Sequence, residues 1–407
     1  MLGHWAQTVL ERCDQLAACS EVPGQITRTF LSAPMREVHR QVRGWMEHAG
    51  MRVRLDAVGN LIGTYPAAIP EAPKLLIGSH LDSVPDAGRY DGVLGVLLGI
   101  ALVEALAGQR LRFALEVVGF SEEEGVRFGV PFLGSRAFAG NFEEKLLELT
   151  DIAGVSVAQA IRDFGLNPAE IAPSEGDYLG YLEFHIEQGP QLEAEGLPLG
   201  IVEAIVGQSR LEFEFTGQAA HAGTTPMHLR RDALAGAAQF VLDAERLARE
   251  TPGLVATVGH MAVKPGAGNV IPGAVHLSLD LRHARDAVRL EALERLGHTA
   301  RQIAHERGLG VAVAAKLEQP AVPMDAWMQS QLATAMQELG YPPYKLQSGA
   351  GHDAMILAQR MRSAMLFLRS PGGISHNPQE AVLPEDVAAA LEVGLRFLER
   401  LERSLPA

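Results

Sequence analysis

Cysteine is nearly absent from this 407-residue chain, which has Cys13 and Cys19 and no others. A disulfide framework is therefore excluded, and so is a thiolate zinc site, because two cysteines cannot supply three or four ligands. The pair falls on one predicted N-terminal helix with the side chains on different faces, and such sparse use of cysteine predicts the reducing cytoplasm. Positive charge is also scarce. The 35 Lys and Arg stand against 49 Asp and Glu, a net charge of −14, with no basic cluster anywhere. An acidic surface of this kind repels phosphate backbones and anionic lipid, so nucleic acid is not an expected partner. Long apolar runs are missing too. Gly92 to Val103 falls well short of the ~20 residues that span a bilayer and reads as a buried helix, so no membrane association is expected. Met1 to Ser20 carries Glu11 and Asp14 in an amphipathic pattern without a basic start, which predicts no secretory signal.

What is present alternates. Short apolar strands are predicted at Asn60 to Tyr65, Lys74 to Ser79 and Arg112 to Phe120, with a helix near Gly92 to Ala107; the pattern returns at Ser363 to Leu368 and a helix from Pro384 to about Ser404. Runs such as Leu75-Leu76-Ile77 and Val117-Val118 are apolar at successive positions, as strands covered on both faces must be. The fold class is α/β, a mixed, mostly parallel sheet with helices on both faces. Near Gly207 the pattern changes to strand Arg210 to Thr216, helix Arg230 to Arg249, strands Leu254 to Val263 and Val275 to Arg282, helix Asp286 to Arg307 and strand Val311 to Leu317. That βαββαβ order predicts a four-stranded antiparallel sheet backed on one face by two helices. The expected organisation is an α/β domain of residues 1–206 and 323–407 interrupted by an inserted α+β domain of residues 207–322.

Ligands of open α/β sheets bind beyond the carboxyl ends of the strands, so the residues just after each strand carry the chemistry. Leu75 to Ser79 leads into His80, Asp82 and then Asp91; Val117 to Phe120 into Glu122, Glu123 and Glu124; Tyr181 to Phe184 into His185 and Gln188; Met365 to Leu368 into His376. Imidazole and carboxylate together are ligands for zinc, manganese or cobalt. Charge and count suggest that His80 and His185 hold one ion, His376 and Glu124 another, and Asp91 bridges both. Such ions sit ~3.5 to 4 Å apart and lower the pKa of a shared water towards ~7. Asp82 is placed to accept the other ring N–H of His80. Glu123, beside a ligand but not one, is the expected general base, taking the water's proton and delivering it to the leaving group. Singly, each motif has a plainer reading. An acidic triplet is usually a solvated face, and His4, His39, His48, His298 and His305 are expected to be ordinary surface or core groups. Coincidence at four strand ends is what argues for a site. The serine-hydrolase elbow, the P-loop and H-E-x-x-H are all absent. Gly349 to Ala354 formally fits the dinucleotide fingerprint but lacks a strong preceding strand and reads as a tight turn near the site.

At these residues the chain resembles the aminoacylase and carboxypeptidase superfamily of dinuclear metallohydrolases, in particular the branch of N-carbamoyl-amino-acid hydrolases, ureidopropionases and allantoate amidohydrolases. The segments GSHLDSVPDAGRYDG, EEEGVRF, FHIEQGP, HAGTTPM, NVIPG, SGAGHDAM and GISHNPQE carry the resemblance along nearly the whole chain. It implies that His80, Asp91, Glu124, His185 and His376 ligate two divalent metal ions (zinc, or manganese or cobalt), with Glu123 the base. His185 is informative, because peptide-cleaving relatives usually place a carboxylate there. The resemblance also implies substrate-binding roles for Gln188, His221, Asn269 and Arg282, the last three on an inserted lid and dimerisation domain. In such a homodimer, lid residues of one subunit reach the active site of the other. Arg282 offers a planar fork for a substrate carboxylate, and His221 a donor to a developing oxyanion. Ala87 stands where the family often has glycine. The implied reaction is cleavage of a linear C–N bond in an N-carbamoyl amino acid or allantoate-like ureido acid; the alternatives are an N-acyl-amino-acid or peptide hydrolase, or a non-catalytic metal-binding dimerisation module.

Overall fold

The computed structural model describes residues 2–405, with side chains from residue 3 on. By its internal contacts the chain divides into one unit made of the residues up to Glu203 and from Met324 on, and a second of Ala204–Pro323. Among the described residues no helix is long and apolar enough to cross a membrane.

In the first unit, β1 (Arg52–Leu55), β2 (Leu61–Tyr65), β3 (Lys74–His80), β4 (Ala114–Phe120), β5 (Tyr178–Ile186) and β6 (Leu199–Ile205) precede the insertion. Every residue of β4 is buried, and all but the first of β3, the burial that the unbroken apolar runs require. Alternate side chains of β5 show both faces covered. Leu182, Phe184 and Ile186 join the main core, which includes the helix Val93–Ala105, apolar at every position but Glu104. On the opposite face the Tyr181 ring meets Phe120, which stacks edge-on against Phe138 of the helix Leu133–Ala139. Cys13 lies within the helix Leu2–Ala17, whereas Cys19 lies beyond its end, so the two do not share a helix; both are buried free thiols.

The second unit holds β7 (Gly207–Thr216), β8 (Ala220–His221), β9 (Val255–Thr257), β10 (Met261–Lys264), β11 (Val270–Ile271), β12 (Ala274–His283) and β13 (Gly310–Gln319). Its sheet runs in the order β10-β12-β7-β13, antiparallel throughout, with β9 also on β12. Burial alternates along β7 and β12, and the buried face packs Phe213, Phe215 and Leu277 on Phe240 and Leu296 of the helices Ala233–Glu250 and Asp286–Arg307. Two details differ from the sequence pattern. The strand expected over Leu254 to Val263 is split at Val258 to His260, where the Ser278 hydroxyl accepts from the His260 amide, so both pieces lie along one edge of β12. The first helix begins at Ala233 instead of Arg230, because the Asp232 carboxylate caps the amides of Leu234 and Ala235.

The chain then returns through β14 (Val322–Pro323), β15 (Lys345–Ser348) and β16 (Ser363–Leu368). The completed large sheet has the order β1-β2-β4-β3-β5-β16-β6-β14, with β15 on β6. Its middle strands β4, β3, β5 and β16 are parallel, and both edges are antiparallel. From β3 the chain steps to β4 on one side and then to β5 on the other. That reversal opens a crevice between β3 and β5 at their carboxyl ends, the place where α/β sheets bind ligands.

Candidate metal centre

Strand register brings the chemistry together. His80 closes β3 opposite Phe120, after which β4 turns into the acidic triplet; His185 on β5 sits opposite Phe367, and the loop after β16 carries His376. Asp91 ends the loop after β3. The next residue, Gly92, starts the helix with φ +69°, and a Cβ there would stand 2.4 Å from the His80 ring. Glycine is required at that point by both the left-handed backbone and the contact.

The two oxygens of Asp91 face different partners. Oδ1 lies 3.1 Å from His185 Nε2 and 3.5 Å from His80 Nε2, while Oδ2 lies 3.2 Å from His376 Nε2, itself 3.7 Å from Glu124 Oε1. The donor atoms of His80, Asp91 and His185 fall within 4.8 Å of one another, and so do those of Asp91, Glu124 and His376. His80 Nδ1 reaches the Asp82 main-chain carbonyl at 3.1 Å and His185 Nδ1 the Ile186 carbonyl at 2.9 Å. A carbonyl can only accept, so each Nδ1 carries a proton, and when the ring is neutral Nε2 is the nitrogen left to ligate.

That donor set fits divalent ions on two grounds. His185 Nε2 and Glu124 Oε1 are buried without a hydrogen-bond partner, although acceptors and donors lie close by. Buried donor atoms left unpartnered, each within a cluster of imidazole and carboxylate, are what ligands of an ion look like. The pocket also holds more acid than it can ionise alone. Burial, opposed by His80 and reinforced by Asp91 and Asp82, pushes Glu124 up to about 7; burial and Asp82 push Glu122 up to about 8; Glu123 is driven well above the carboxylate range, chiefly by burial. Against the upward push of its own burial, Asp91 is held well below that range by His185, His376 and His80. Bound cations would relieve this excess of buried negative charge.

Asp82 is arranged differently from expectation. Its main-chain carbonyl, not its carboxylate, takes the His80 N–H; carboxylate Oδ1 is 3.6 Å from the ring, and Oδ1 and Oδ2 instead accept the amides of Glu123 and Glu124 respectively, each at 3.1 Å. Two residues beyond the strand the main chain itself reaches the ring, which frees the side chain to pin the acidic turn. Gln188 donates through Nε2 to Asp91 Oδ2 at 2.9 Å, and its Oε1 is buried and unpartnered. Glu122, Gln188 and His376 all adopt left-handed backbone, with φ of 53°, 58° and 54°. Such strain in non-glycine residues concentrates at sites where side-chain aim matters.

Several neighbours carried no sequence signal of their own. Glu183 on β5 accepts from the Ser79 hydroxyl and the Ala354 amide, and the His352 ring packs 4.4 Å from that of His185. His352 belongs to the turn singled out at Gly349 to Ala354. Glu183, His185 and His352 also form a cluster of metal-ligand type, but both Glu183 oxygens are already engaged, so it supports the centre from behind. Ala87 is buried and its amide donates to the Ile26 carbonyl at 2.8 Å, an arrangement that needs no glycine. His39, by contrast, is a core histidine whose burial lowers it to about 4.

In the second unit the β8–β11 ribbon pairs His221 with Val270, and the Asn269 carbonyl accepts the Ala222 amide at 2.9 Å, so His221 and Asn269 lie one position apart along the ribbon; both are exposed. Arg282, on β12, directs Nε and Nη2 at the Asp280 carboxylate, 2.7 and 2.9 Å away.

A sheet with imidazoles and acids gathered beyond its carboxyl ends around Asp91 is the arrangement of metal-dependent hydrolases with an interrupted α/β domain. The sequence model for Peptidase family M20/M25/M40 matches residues 76–400, and the chain belongs to that family. The chain is 41% identical over 389 residues to the N-carbamoyl-L-amino acid amidohydrolase of Geobacillus stearothermophilus, covering 94% of this chain and 95% of that one. It is 38% identical to the allantoate deiminase of Arabidopsis thaliana, covering 97% and 81%. Among solved structures, a hydantoinase/carbamoylase family amidase from Burkholderia multivorans superposes with a TM-score of 0.91 at 35% identity, covering 97% of each chain.

Proposed function

We propose that this chain is a dinuclear metal-dependent amidohydrolase cleaving a linear C–N bond in an N-carbamoyl amino acid or an allantoate-like ureido acid. Hydrolysis would release ammonia and, from a carbamoyl substrate, carbon dioxide and the free amino acid. The observation that carries this reading is Asp91, whose oxygens face His80 with His185 on one side and His376 with Glu124 on the other. Zinc, manganese or cobalt bound there would supply Lewis acidity and an activated water.

The chain's own residues do the rest. Glu123, buried and 4.0 Å from His80 Nε2, receives the proton of the attacking water and returns it to the departing nitrogen. The upward shift of its carboxyl by burial brings its affinity for a proton towards that task. His221 donates to the carbonyl oxygen as negative charge develops, Arg282 clamps the substrate carboxylate, and Gln188 and Asn269 orient the ureido acid. A histidine at position 185 favours this chemistry over peptide cleavage.

The working form we propose is a cytoplasmic homodimer in which lid residues of one subunit serve the centre of the other. Among the described residues, seven of the ten exposed large apolar side chains, including Met227, Leu229 and Leu242, lie in Ala204–Pro323. That share of the exposed apolar side chains supports the second unit as the one that associates. The reading is tested by reconstituting metal-free protein with zinc, manganese or cobalt and measuring ammonia release from an N-carbamoyl-L-amino acid, N-carbamoyl-β-alanine and allantoate, beside cleavage of an N-acetyl amino acid. Faster turnover of the N-acetyl compound than of every ureido acid would replace this proposal with an acylase.

A further inference from the structure

Glu380 lies four residues after His376 and four before the C-terminal helix Pro384–Ser404, and it is 5% exposed. Its Oε1 accepts two successive amides of the loop after β3, those of Tyr90 at 2.8 Å and Asp91 at 3.1 Å. Its Oε2 lies 3.2 Å from Ser375 Oγ, and that hydroxyl is 3.0 Å from Asp91 Oδ2. The acid reaches this position across a bay that Gly88 leaves open: a Cβ on Gly88 would stand 2.3 Å from Cβ, Cδ and Oε1 of Glu380. Glu380 belongs to none of the imidazole and carboxylate clusters of metal-ligand type among the described residues.

We propose that Glu380 is a positioning residue that sets the geometry of the two-metal centre by clasping the loop of Asp91 to the loop of His376. The inference rests on the dinuclear reading and extends it. A bridging carboxylate works only if its two oxygens face different ions, which fixes both the backbone of Asp91 and the rotation of its side chain. Glu380 holds the backbone through the two amides. Through Ser375 it also reaches Oδ2, the oxygen that faces His376. One buried carboxylate thus controls the bridge and its spacing from the more exposed imidazole, whereas His80 and His185 are held by their own strands and main-chain carbonyls. Glutamine at position 380 would keep an oxygen for the two amides and offer an N–H to Ser375 Oγ; alanine would release both loops.

The test is titration of zinc or cobalt into chelator-stripped full-length protein, comparing wild type, Glu380→Ala, Glu380→Gln and Ser375→Ala by calorimetry and by the visible spectrum of bound cobalt. Wild type is expected to take two ions. Glu380→Ala should keep the first and bind the second about 10- to 100-fold more weakly, the usual cost of losing a group that orients a ligand, with an altered cobalt spectrum. Glu380→Gln should restore the second site, and Ser375→Ala should show a smaller loss in the same direction. Wild-type binding of both ions by Glu380→Ala, even with a lower melting temperature, overturns the proposal, because Glu380 would then be only a packing group. If Glu380→Ala does not fold, unchanged ion binding by Ser375→Ala together with a lost second site in Glu380→Gln overturns it equally. Failure of wild type itself to take two ions defeats the dinuclear reading, and this inference with it.

Discussion

Histidines in the two units are built for opposite tasks. His80 and His185 are buried, give Nδ1–H to main-chain carbonyls at 3.1 and 2.9 Å, and turn Nε2 towards a cluster of acids. His221 is exposed, and its Nδ1 accepts the Gly223 amide at 3.0 Å, which leaves the proton on Nε2. In the proposed reaction the same side chain would therefore serve as a ligand in one unit and as a proton donor in the other. A carbonyl or an amide within two residues makes the choice. The surroundings differ in the same sense. The first unit gathers buried carboxylates around its imidazoles, whereas the second leaves His221 and Asn269 exposed on a two-stranded ribbon.

The comparison breaks most readily at the acidic turn. Glu123→Gln is expected to lower turnover by ~10² to 10⁴, the contribution of a positioned base, while both ions remain bound. Glu124→Gln should lose an ion. Metal analysis of the two variants decides the assignment, and the reverse pattern would mean that base and ligand have been exchanged.

Metal removal sharpens the contrast between the units. Each ion present at about 100 times its dissociation constant stabilises the folded state by ~2.7 kcal/mol, so a chelator should remove about 5 kcal/mol for two independent ions. Hydrogen exchange is expected to quicken around His80 to Asp91, Ser121 to Gly125 and Ser370 to Glu380. The strands Gly207–Thr216 and Ala274–His283 should keep their protection. A loss spread evenly over both units would contradict a metal centre confined to the first.

How much of this was legible in the sequence depends on how local the cause is. Ser363–Leu368 and Pro384–Ser404 have the predicted bounds because periodicity and a proline at the helix start are written in consecutive residues. The same locality placed His80, Glu124, His185 and His376 at strand ends. Asp82 escaped because whether its carbonyl or its carboxylate meets the His80 ring depends on a turn that spacing does not encode. Glu380 escaped for a stronger reason: its partners Tyr90 and Asp91 lie 290 and 289 positions away, and a hydrogen bond across that distance leaves no local pattern. The split at Val258 to His260 was signalled in part by Gly259, since glycine inside a strand often marks an irregularity.

In the second unit, Arg282→Lys keeps the charge but loses the planar fork that Asp280 now holds in place. Loss of a charged hydrogen bond to a substrate carboxylate costs ~1.5 to 3 kcal/mol, so KM should rise about 10- to 150-fold. Unchanged kinetics on a carboxylate-bearing ureido acid would make Arg282 an ordinary partner of Asp280.

The smallest effect carries the most information about assembly. Glu123→Gln chains lack the base and His221→Ala chains lack the lid donor, so each alone should be nearly inactive. Dissociated together and allowed to re-pair at random, half the resulting dimers are mixed. If the lid of one subunit serves the centre of the other, each mixed dimer has one site combining the intact centre of the His221→Ala chain with the intact lid of the Glu123→Gln chain. Its other site carries both lesions. Recovery should therefore approach about a quarter of wild-type activity under two-fold symmetry and equal mixing. If each chain used its own lid, every site would keep one lesion and nothing would be recovered. Activity no greater than the sum of the two residual values, in a sample shown to contain mixed dimers, would place His221 at the centre of its own chain or remove it from the reaction.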